Sequence, residues 1–398
     1  MTGPLLGIRV VEYAQYVAGP FAGSLLAELG AEVIKVEPPG GDAYRRVMPV
    51  ASGVGRYFVP LNRGKRSVVL DLKTPEGLER SRALASTADI VLHNFRPDRA
   101  ELFGLDWESL RELLPRVVVG VITSFGPEGP LAGAPAYDLV AQARSGLLTA
   151  HASPGDAVPV RAGGVPLADL AAGFLLATGV LAALVRARVT GEGERVEVPL
   201  LAAALAVQVQ DMVWLDGEGV DEVARPASRA DLRARANEIG LGLATNPYYR
   251  CYEAADGFIA VACLNVAQRQ AFIGLFGLDD STIAAPDLIP EDAGLLERKR
   301  AVTSEIAARV AAESVDAWLE RFGSVGVPCG PVLARETVHA DLQVRANGFL
   351  AEVEQPGLGA VTMLGRLFRI GDGAQDAIGP APVLGADTEA VLAELGAT

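Results

Sequence analysis

Short apolar runs alternate with longer amphipathic stretches over the first 125 residues. The apolar runs predict β-strands at 8–13, 32–37, 67–72, 90–93 and 117–123. Between them, residues 19–29 have the spacing of a helix, and Thr74-Pro75-Glu76 is a helix start with proline in the first position. Strands that alternate with helices form β-α-β units, which require a parallel sheet. We therefore predict an α/β fold.

The middle of the chain is more apolar. Residues 126–164 are rich in Gly, Pro and Ala, with a short helix predicted at 138–147. A buried helix at 169–186, a strand at 195–198 and a long apolar helix at 200–215 follow. The apolar run of the first of these long helices falls short of the ~20 residues that a membrane span needs, so we expect no membrane segment. The N-terminal residues lack the pattern of a signal peptide, and we expect a cytoplasmic protein.

A second, smaller α/β unit is predicted towards the C-terminus. Residues 216–246 are polar and weakly patterned, as expected of a linker. The pattern then predicts a hairpin at 248–253 and 258–262, helices at 267–276, 298–311 and 314–322, strands at 349–353 and 360–363, and a helix at 388–395. We assign 1–215 plus 335–398 to a large domain, 216–246 to a linker and 247–334 to a small domain.

Charge and composition exclude several classes of function. The formal net charge is −14, from 49 acidic and 35 basic residues, which argues against nucleic acid as a partner. A small anionic ligand needs only a local basic pocket and remains compatible with this charge. The three cysteines and three histidines have no metal-ligand spacing, so neither a metal site nor a disulfide framework is predicted.

The turn after the first strand does not have the sequence of a dinucleotide-binding loop. It reads Val17-Ala18-Gly19-Pro20-Phe21-Ala22-Gly23 rather than G-x-G-x-x-G, and Pro20 removes a backbone N–H where a pyrophosphate would accept a hydrogen bond. We therefore expect no NAD, and an NAD-dependent dehydrogenase is the least favoured hypothesis.

Asp169 is the leading candidate for a catalytic carboxylate. It stands at the predicted start of the apolar helix, where an ordinary N-cap is the alternative interpretation. Gly163-Gly164 before it and Gly173 after it leave space for a ligand. The apolar helix predicts partial burial, and the helix dipole is expected to keep the carboxylate ionised. Such a desolvated anion would be a nucleophile.

Three other segments are candidates for ligand binding. Residues 94–99 follow a strand and offer Phe95, Arg96 and Arg99 to an adenine and a phosphate, unless the segment is a solvated turn. The basic cluster at 62–66, together with Lys73, could form an electropositive mouth for a polyanion or a solvated surface. Tyr137 opens the short helix at 138–147, where a core or capping role is the alternative.

Taken together, the segments resemble the class III CoA-transferase family (CaiB/BaiF type), which includes formyl-CoA transferase, carnitine CoA-transferase and α-methylacyl-CoA racemase. The segments that carry the resemblance are LLGIRVVEYAQYVAGPFAGSLLAELGAEVIKVEPPGGD, LNRGKRSVVLDLKTPEG, HNFRPDRAELFGLDWESL, PAYDLVAQARSGL, the stretch around Asp169 with TGEGERVEVPLL, and VGVPCGPV. The resemblance covers nearly the whole chain. It implies a Rossmann-like large domain with an inserted smaller α/β domain, in an interlocked homodimer.

The resemblance also implies a reaction. Asp169 would attack an acyl-CoA donor, become an aspartyl-CoA thioester and pass CoA to a small carboxylic acid. Positions where family members contact coenzyme A correspond to Val17, Leu70, Lys73, Asn94, Phe95, Phe103 and Tyr137. Gln15 and Ala18 lie beside Val17, and Arg96 or Arg99 would replace a family arginine that corresponds to Leu102. We therefore predict an acyl-CoA:carboxylate CoA-transferase that uses coenzyme A as its acyl-CoA substrate and no metal.

Departures from the family pattern limit the chemistry. Val17 and Pro38 stand where formyl-CoA transferases have glutamine and arginine, and residues 262–265 replace their glycine-rich loop, so formyl and oxalate chemistry is not expected. Racemases have a histidine where this chain has Tyr137, and a phenol of pKa near ~10 is a poor acid–base group at neutral pH. An α-methylacyl-CoA racemase-type isomerase is therefore the second hypothesis. A non-catalytic acyl-CoA-binding protein is the third.

Overall fold

The computed structural model describes residues 3–51, 53–151, 158–215, 224–371 and 379–396. The chain forms two compact units. The larger unit contains residues up to 148, 160–223 and those from 341 onwards, and the smaller contains 149–159 and 224–340.

The predicted strands are present with similar bounds, and the described residues form three further short strands that were not predicted. The strands are β1 (Arg9–Glu12), β2 (Glu32–Glu37), β3 (Pro49–Ala51), β4 (Val54–Gly55), β5 (Arg66–Val69), β6 (Ile90–His93), β7 (Val118–Thr123), β8 (Arg195–Pro199), β9 (Tyr249–Ala254), β10 (Gly257–Ala262), β11 (Cys329–Pro331), β12 (Leu350–Gln355) and β13 (Gly359–Leu364). Those that were not predicted are β3, β4 and β11.

The helices are α1 (Ala18–Glu28), α2 (Phe58–Leu61), α3 (Pro75–Ala85), α4 (Pro97–Phe103), α5 (Trp107–Leu113), α6 (Asp138–Arg144), α7 (Leu147–Ala150), α8 (Leu167–Thr190), α9 (Leu200–Ala206), α10 (Arg229–Thr245), α11 (Val266–Gly274), α12 (Ala293–Val310), α13 (Val315–Ser324), α14 (Leu342–Ala346) and α15 (Thr388–Glu394). Short 3-10 turns cover Ala43–Arg46, Ala162–Gly164 and Val338–Ala340.

A six-stranded sheet forms the centre of the larger unit. Its strand order is β5-β2-β1-β6-β7-β8, and every neighbouring pair is parallel. The order reverses between β1 and β6, where Val10 lies opposite Val33 on one side and Ile90 on the other. The predicted α/β fold with a parallel sheet is confirmed. Ligands of open parallel sheets bind at the carboxyl ends of the strands where the order reverses, so the loops after β1 and β6 are the expected binding edge.

Helix α8 packs closely on α1 through a glycine. A Cβ atom at Gly173 would lie 2.8 Å from Cδ1 of Phe21 and 2.9 Å from the carbonyl oxygen of Ala18. Glycine is therefore required for the two helices to approach this closely. The packing fixes the N-terminal half of α8, which contains Asp169, against the helix that follows β1.

Helix α8 is longer than the sequence pattern indicated. It begins two residues earlier and ends at Thr190, where Gly191 adopts a left-handed conformation with φ of 81°. By length and composition it is the one helix of the described ranges that could cross a membrane, so the expectation that it is too short was wrong. One face, which includes Ala172, Leu176 and Val180, is buried, whereas a buried helix was predicted, and Val185 and Val189 on α8 are exposed.

Two other predicted elements differ from the structure. The helix expected at 200–215 ends at Ala206, and β-branched Val207, Val209 and Val213, which disfavour helix, lie beyond its end. Within the segment predicted as a linker, Arg229–Thr245 forms helix α10 with a capping box between Ser228 and Asp231. This helix belongs to the smaller unit.

The smaller unit has its own hydrophobic core. The antiparallel sheet β11-β10-β9 contains the predicted hairpin, with Ile259 opposite Tyr252. Phe272, Phe276 and Phe322 form an aromatic cluster beneath it, with ring centroids 5.3–6.4 Å apart. These side chains are buried and explain why helices α11 and α13 pack together.

Candidate active site

Asp169 lies in the first turn of α8 rather than at its cap. The cap residue is Pro166, and the Asp169 side chain is partly buried, so the N-cap interpretation was wrong. Burial and, to a smaller extent, the negative charge of Asp138 raise the pKa of Asp169 to about 7, although the positive charge of Arg161 opposes them. The expectation that the helix dipole keeps this carboxylate fully ionised was also wrong, because desolvation outweighs it.

The raised pKa of Asp169 predicts a pH-dependent cost in stability. The folded state holds the Asp169 proton more tightly than the unfolded state. The free energy of unfolding is therefore highest below pH 3.8, where both states are protonated, and this stability is lost as the pH rises through about 7. Asp169→Asn should therefore raise the free energy of unfolding by about 2 kcal/mol at pH 8, and by roughly half as much at pH 5.5. Urea unfolding at the two pH values measures this difference. An equal effect at both values would contradict the assignment.

The carboxylate of Asp138 is hydrogen-bonded to the helix that contains Asp169. Its Oδ1 atom accepts hydrogen bonds from the backbone N–H groups of Ala168 at 2.9 Å and Asp169 at 3.3 Å. Its Oδ2 atom accepts one from Nε2 of Gln142 at 2.8 Å. Asp138 is the first residue of α6 and is buried. This contact could not be predicted from the sequence, because an acidic residue at a helix start indicates a bond to its own helix.

Four tyrosines form a cluster near Asp169. The Tyr16 ring contacts Tyr44 and Tyr137 edge-on, with centroids 5.8 and 5.5 Å away, and Tyr44 contacts Tyr57 at 6.2 Å. The charge of Asp169 contributes to a raised pKa of Tyr44, after burial, which places Tyr44 near the carboxylate. Of these tyrosines, only Tyr137 was a predicted site residue.

Tyr16 is held in a rare backbone conformation. Its φ is 71°, a left-handed value that a bulky residue adopts only at a cost of ~1–3 kcal/mol. The Tyr16 N–H donates to Oδ1 of Asp42 at 3.3 Å, and Nζ of Lys35 lies 3.0 Å from the other oxygen of Asp42. Both Asp42 and Lys35 are buried. The strained conformation of Tyr16 is therefore stabilised by a hydrogen bond to a buried ion pair.

The basic cluster at 62–66 does not form an electropositive mouth. Lys65 is buried, and its Nζ atom donates to Oε2 of Glu12 at 2.8 Å, with burial lowering the pKa of Lys65 to about 8. Arg63 is also buried and pairs with Glu28 at 2.9 Å. Internal carboxylates thus neutralise these cations, and of that predicted set Lys73 remains exposed.

Five residues predicted to contact coenzyme A line one cavity of about 180 Å³ at the binding edge of the sheet. They are Gln15, Leu70, Lys73, Phe95 and Phe103. A second cavity of about 300 Å³ shares Phe95 and contains His93, whose pKa burial lowers to about 4. His93 is therefore neutral at physiological pH.

The other predicted contact residues lie outside the smaller cavity. Asn94 bonds both backbone groups of Gln15, at 3.2 and 2.9 Å, and so joins the loops after β6 and β1. Val17 and Ala18 are buried at the start of α1, while Arg96 and Arg99 are exposed around the start of α4. Tyr137 is 63% exposed. In the described parts of the chain, no three His, Cys, Asp or Glu side chains are grouped as a metal site would require.

Comparison with known proteins shows extensive similarity. A family model described as CoA-transferase family III matches residues 5–388. The chain is 36% identical to the succinate–glutarate CoA-transferase of Agrobacterium fabrum, over 88% of this chain and 85% of that protein. It is 30% identical to the succinyl-CoA:glutarate CoA-transferase of Homo sapiens, over 98% and 86% of the two chains. The crystal structure of a CAIB/BAIF family protein from Brucella suis matches with a TM-score of 0.77 and 28% identity, over 99% of this chain and 100% of that chain.

Proposed function

Because this chain belongs to CoA-transferase family III, we propose that it moves CoA between two carboxylic acids through a covalent thioester on Asp169. The observation that carries this proposal is the placement of Asp169. Its partly buried carboxylate lies in the first turn of α8, beside a tyrosine cluster. A shielded carboxylate of raised basicity is a stronger nucleophile than one in water, and shielding protects acyl intermediates from hydrolysis.

The proposed reaction proceeds in four balanced steps. An Asp169 oxygen attacks the donor thioester, which gives a mixed anhydride and releases CoA thiolate. The thiolate attacks the Asp169 carbonyl carbon, which forms the aspartyl-CoA thioester and frees the donor acid with one oxygen from Asp169. The acceptor carboxylate attacks that thioester and again displaces CoA thiolate. The thiolate then attacks the acceptor carbonyl carbon, which gives the new acyl-CoA and leaves an acceptor oxygen on Asp169.

We propose that coenzyme A lies along the carboxyl edge of β1, β5 and β6. Phe95 and Phe103 would contact the adenine in the cavity that they share with Gln15, Leu70 and Lys73. Arg96 and Arg99 form no ion pair with described residues, and their exposed guanidinium groups suit the phosphates. Val17, Ala18, Asn94 and Tyr137 would then lie towards Asp169. Asn94 would act partly through the backbone of Gln15, to which its side chain is bonded.

We propose short dicarboxylic acids as the substrate class. Two relatives are named for transfer between succinate and glutarate. In this chain the positive charge of Arg161 acts to lower the pKa of both Asp169 and Tyr44. The one described hydrogen bond of its guanidinium goes to the carbonyl oxygen of Gly164 at 2.8 Å. Arg161 forms no ion pair with the described residues. Its remaining N–H groups, together with tyrosine hydroxyls, can bind the carboxylate that does not react.

Replacing Arg161 tests that substrate class. Arg161→Gln is expected to raise the KM for glutarate by about tenfold or more and the KM for butyrate by less than about twofold, because only glutarate retains a free carboxylate. Steady-state kinetics with succinyl-CoA measure both values. Arg188→Gln, which loses only an exposed pair with Asp89, is the matched control. Equal effects on the two acceptors would exclude a role for Arg161 in selecting dicarboxylates.

We further propose a cytoplasmic, interlocked homodimer with a Rossmann-like large domain and a smaller inserted domain. The strand order of the six-stranded sheet supports the Rossmann-like domain. Residues 224–340 lie between two parts of the larger unit in sequence, which supports the inserted domain. Apolar side chains on α8 and around α9 are exposed, among them Phe174, Val185, Val189, Leu205 and Val209. An apolar surface of this kind suits a second copy of the chain.

Transfer of oxygen from the acceptor tests the proposed reaction. After a single turnover with succinyl-CoA and glutarate labelled with ¹⁸O in both carboxyl groups, the peptide that contains Asp169 should gain one ¹⁸O. Turnover in ¹⁸O-water with unlabelled glutarate should leave it unlabelled. Label from water alone would indicate hydrolysis, whereas deuterium exchange at the α-carbon without oxygen transfer would indicate the isomerase. Binding of acyl-CoA without oxygen transfer, hydrolysis or deuterium exchange would indicate a non-catalytic acyl-CoA-binding protein.

A further inference from the structure

Asp138 supplies the N-terminal cap that α8 lacks. The first N–H groups of a helix have no acceptor within the helix, and Pro166 at the cap position has no side-chain acceptor to offer. Oδ1 of Asp138 accepts from the N–H groups of Ala168 and Asp169, the second and third residues of α8. The turn that contains the proposed nucleophile is therefore held by a side chain of another helix.

The Asp138 carboxylate is itself held in place. Its second oxygen accepts a hydrogen bond from Gln142, which lies one turn later on α6 and is fully buried. The same Gln142 amide is 3.4 Å from the carbonyl oxygen of Val165, which precedes the start of α8. Both oxygens of Asp138 thus have defined partners, so the carboxylate is a rigid support for α8.

The charge of Asp138 acts on Asp169 as well. Three described groups face Asp169 electrostatically: Asp138 from α6, Arg161 from the turn before α8, and Tyr44 from the 3-10 turn at Ala43–Arg46. Asp138 is the anion among them. A fixed negative charge destabilises the free Asp169 carboxylate, but it has little effect on the neutral anhydride and thioester that the carboxylate would form.

Resting on the proposed function, we propose that Asp138 is a positioning residue for Asp169. It fixes the first turn of α8 through two backbone N–H groups, and its charge favours the covalent, neutral state of Asp169 over the free anion. Both effects act through Asp169, and neither requires Asp138 to touch the substrate.

Two variants separate the hydrogen bonding of Asp138 to α8 from the effect of its negative charge. Asp138→Asn keeps an oxygen acceptor for α8 and loses the charge, while Asp138→Ala loses both. In Asp138→Asn, the acid limb of kcat/KM for succinyl-CoA should move to lower pH by about one unit. In the same variant, kcat at pH 8 should fall by about tenfold with the donor KM within about twofold. Asp138→Ala should lose about a hundredfold in kcat and also melt at a lower temperature.

The control is Asp106→Asn, which alters the carboxylate that caps α5 through the N–H of Ser109. This variant should leave the pH profile unchanged. If the wild-type protein forms the aspartyl-CoA adduct and Asp138→Asn keeps the wild-type acid limb and kcat, the proposal for Asp138 is overturned while the proposed function stands. Absence of the adduct in the wild-type protein would instead defeat the proposed function.

Discussion

Asp169→Asn is expected to lower kcat for CoA transfer from succinyl-CoA to glutarate by at least about 10³-fold. The amide has the shape of the carboxylate, but it cannot attack a thioester and form an anhydride. Since the side chain has no capping role in α8, the variant should fold and still bind coenzyme A. Steady-state kinetics and calorimetric titration with CoA measure the two properties.

The loss of kcat in Asp169→Asn must be specific to the proposed nucleophile, so a second Asp→Asn substitution serves as the comparison. Asp211→Asn, at an exposed residue beyond α9, is the matched control and should retain activity within about twofold. Residual activity of Asp169→Asn above about one-tenth of the wild-type value would contradict a covalent role for Asp169. Loss of both activity and CoA binding would mean that the substitution damages the binding site.

Glu12→Gln is expected to reduce the free energy of unfolding by about 3–5 kcal/mol at pH 7. Glu12 lies between two buried ammonium groups and accepts from Lys35 at 3.0 Å and Lys65 at 2.8 Å. All three side chains are inaccessible to solvent. The variant would leave Lys65 buried without its carboxylate partner, so folding would require either an uncompensated buried cation or release of the Lys65 proton. Urea unfolding measures the loss.

The Glu12→Gln effect should become smaller at high pH. Burial already lowers the pKa of Lys65 to about 8, and loss of Glu12 would lower it further. The folded variant then releases the Lys65 proton before the unfolded chain does, so its stability rises with pH up to the unfolded value near ~10.4. Glu313→Gln breaks an exposed pair with Arg321 and should cost less than about 1 kcal/mol. A loss of similar size in both variants would contradict the account of the buried network.

The parallel sheet could be predicted because its signals are local. Residues 32–37 and 90–93 form strands with the predicted bounds, since a continuous apolar run between turn residues has few alternatives. Family membership was also available from the sequence, because the segments that carry the resemblance span nearly the whole chain, as the family match over 5–388 confirms.

Contacts between distant segments could not be predicted. The bond from Asp138 to the first turn of α8 joins residues 30 positions apart, and nothing in either segment indicates it. Tyr16 and Lys65 were missed or misinterpreted for the same reason. The sequence around a residue does not show whether a carboxylate from another part of the chain lies beside it, as Asp42 lies beside Tyr16 and Glu12 beside Lys65.

The pKa of Asp169 shows where helix position alone misleads. A place in the first turn predicts an ionised carboxylate, because the helix dipole favours a negative charge there. In the structure, burial and the neighbouring Asp138 raise the pKa of Asp169 instead. Burial at a single position depends on what other elements cover it, which the apolar pattern of α8 does not specify.

Intact-mass spectrometry of the protein with succinyl-CoA and no acceptor tests the central claim most directly. A covalent CoA adduct should form, map to the peptide that contains Asp169, be absent in Asp169→Asn and disappear when glutarate is added. A wild-type protein that transfers CoA to glutarate without forming such an adduct would contradict the proposed mechanism.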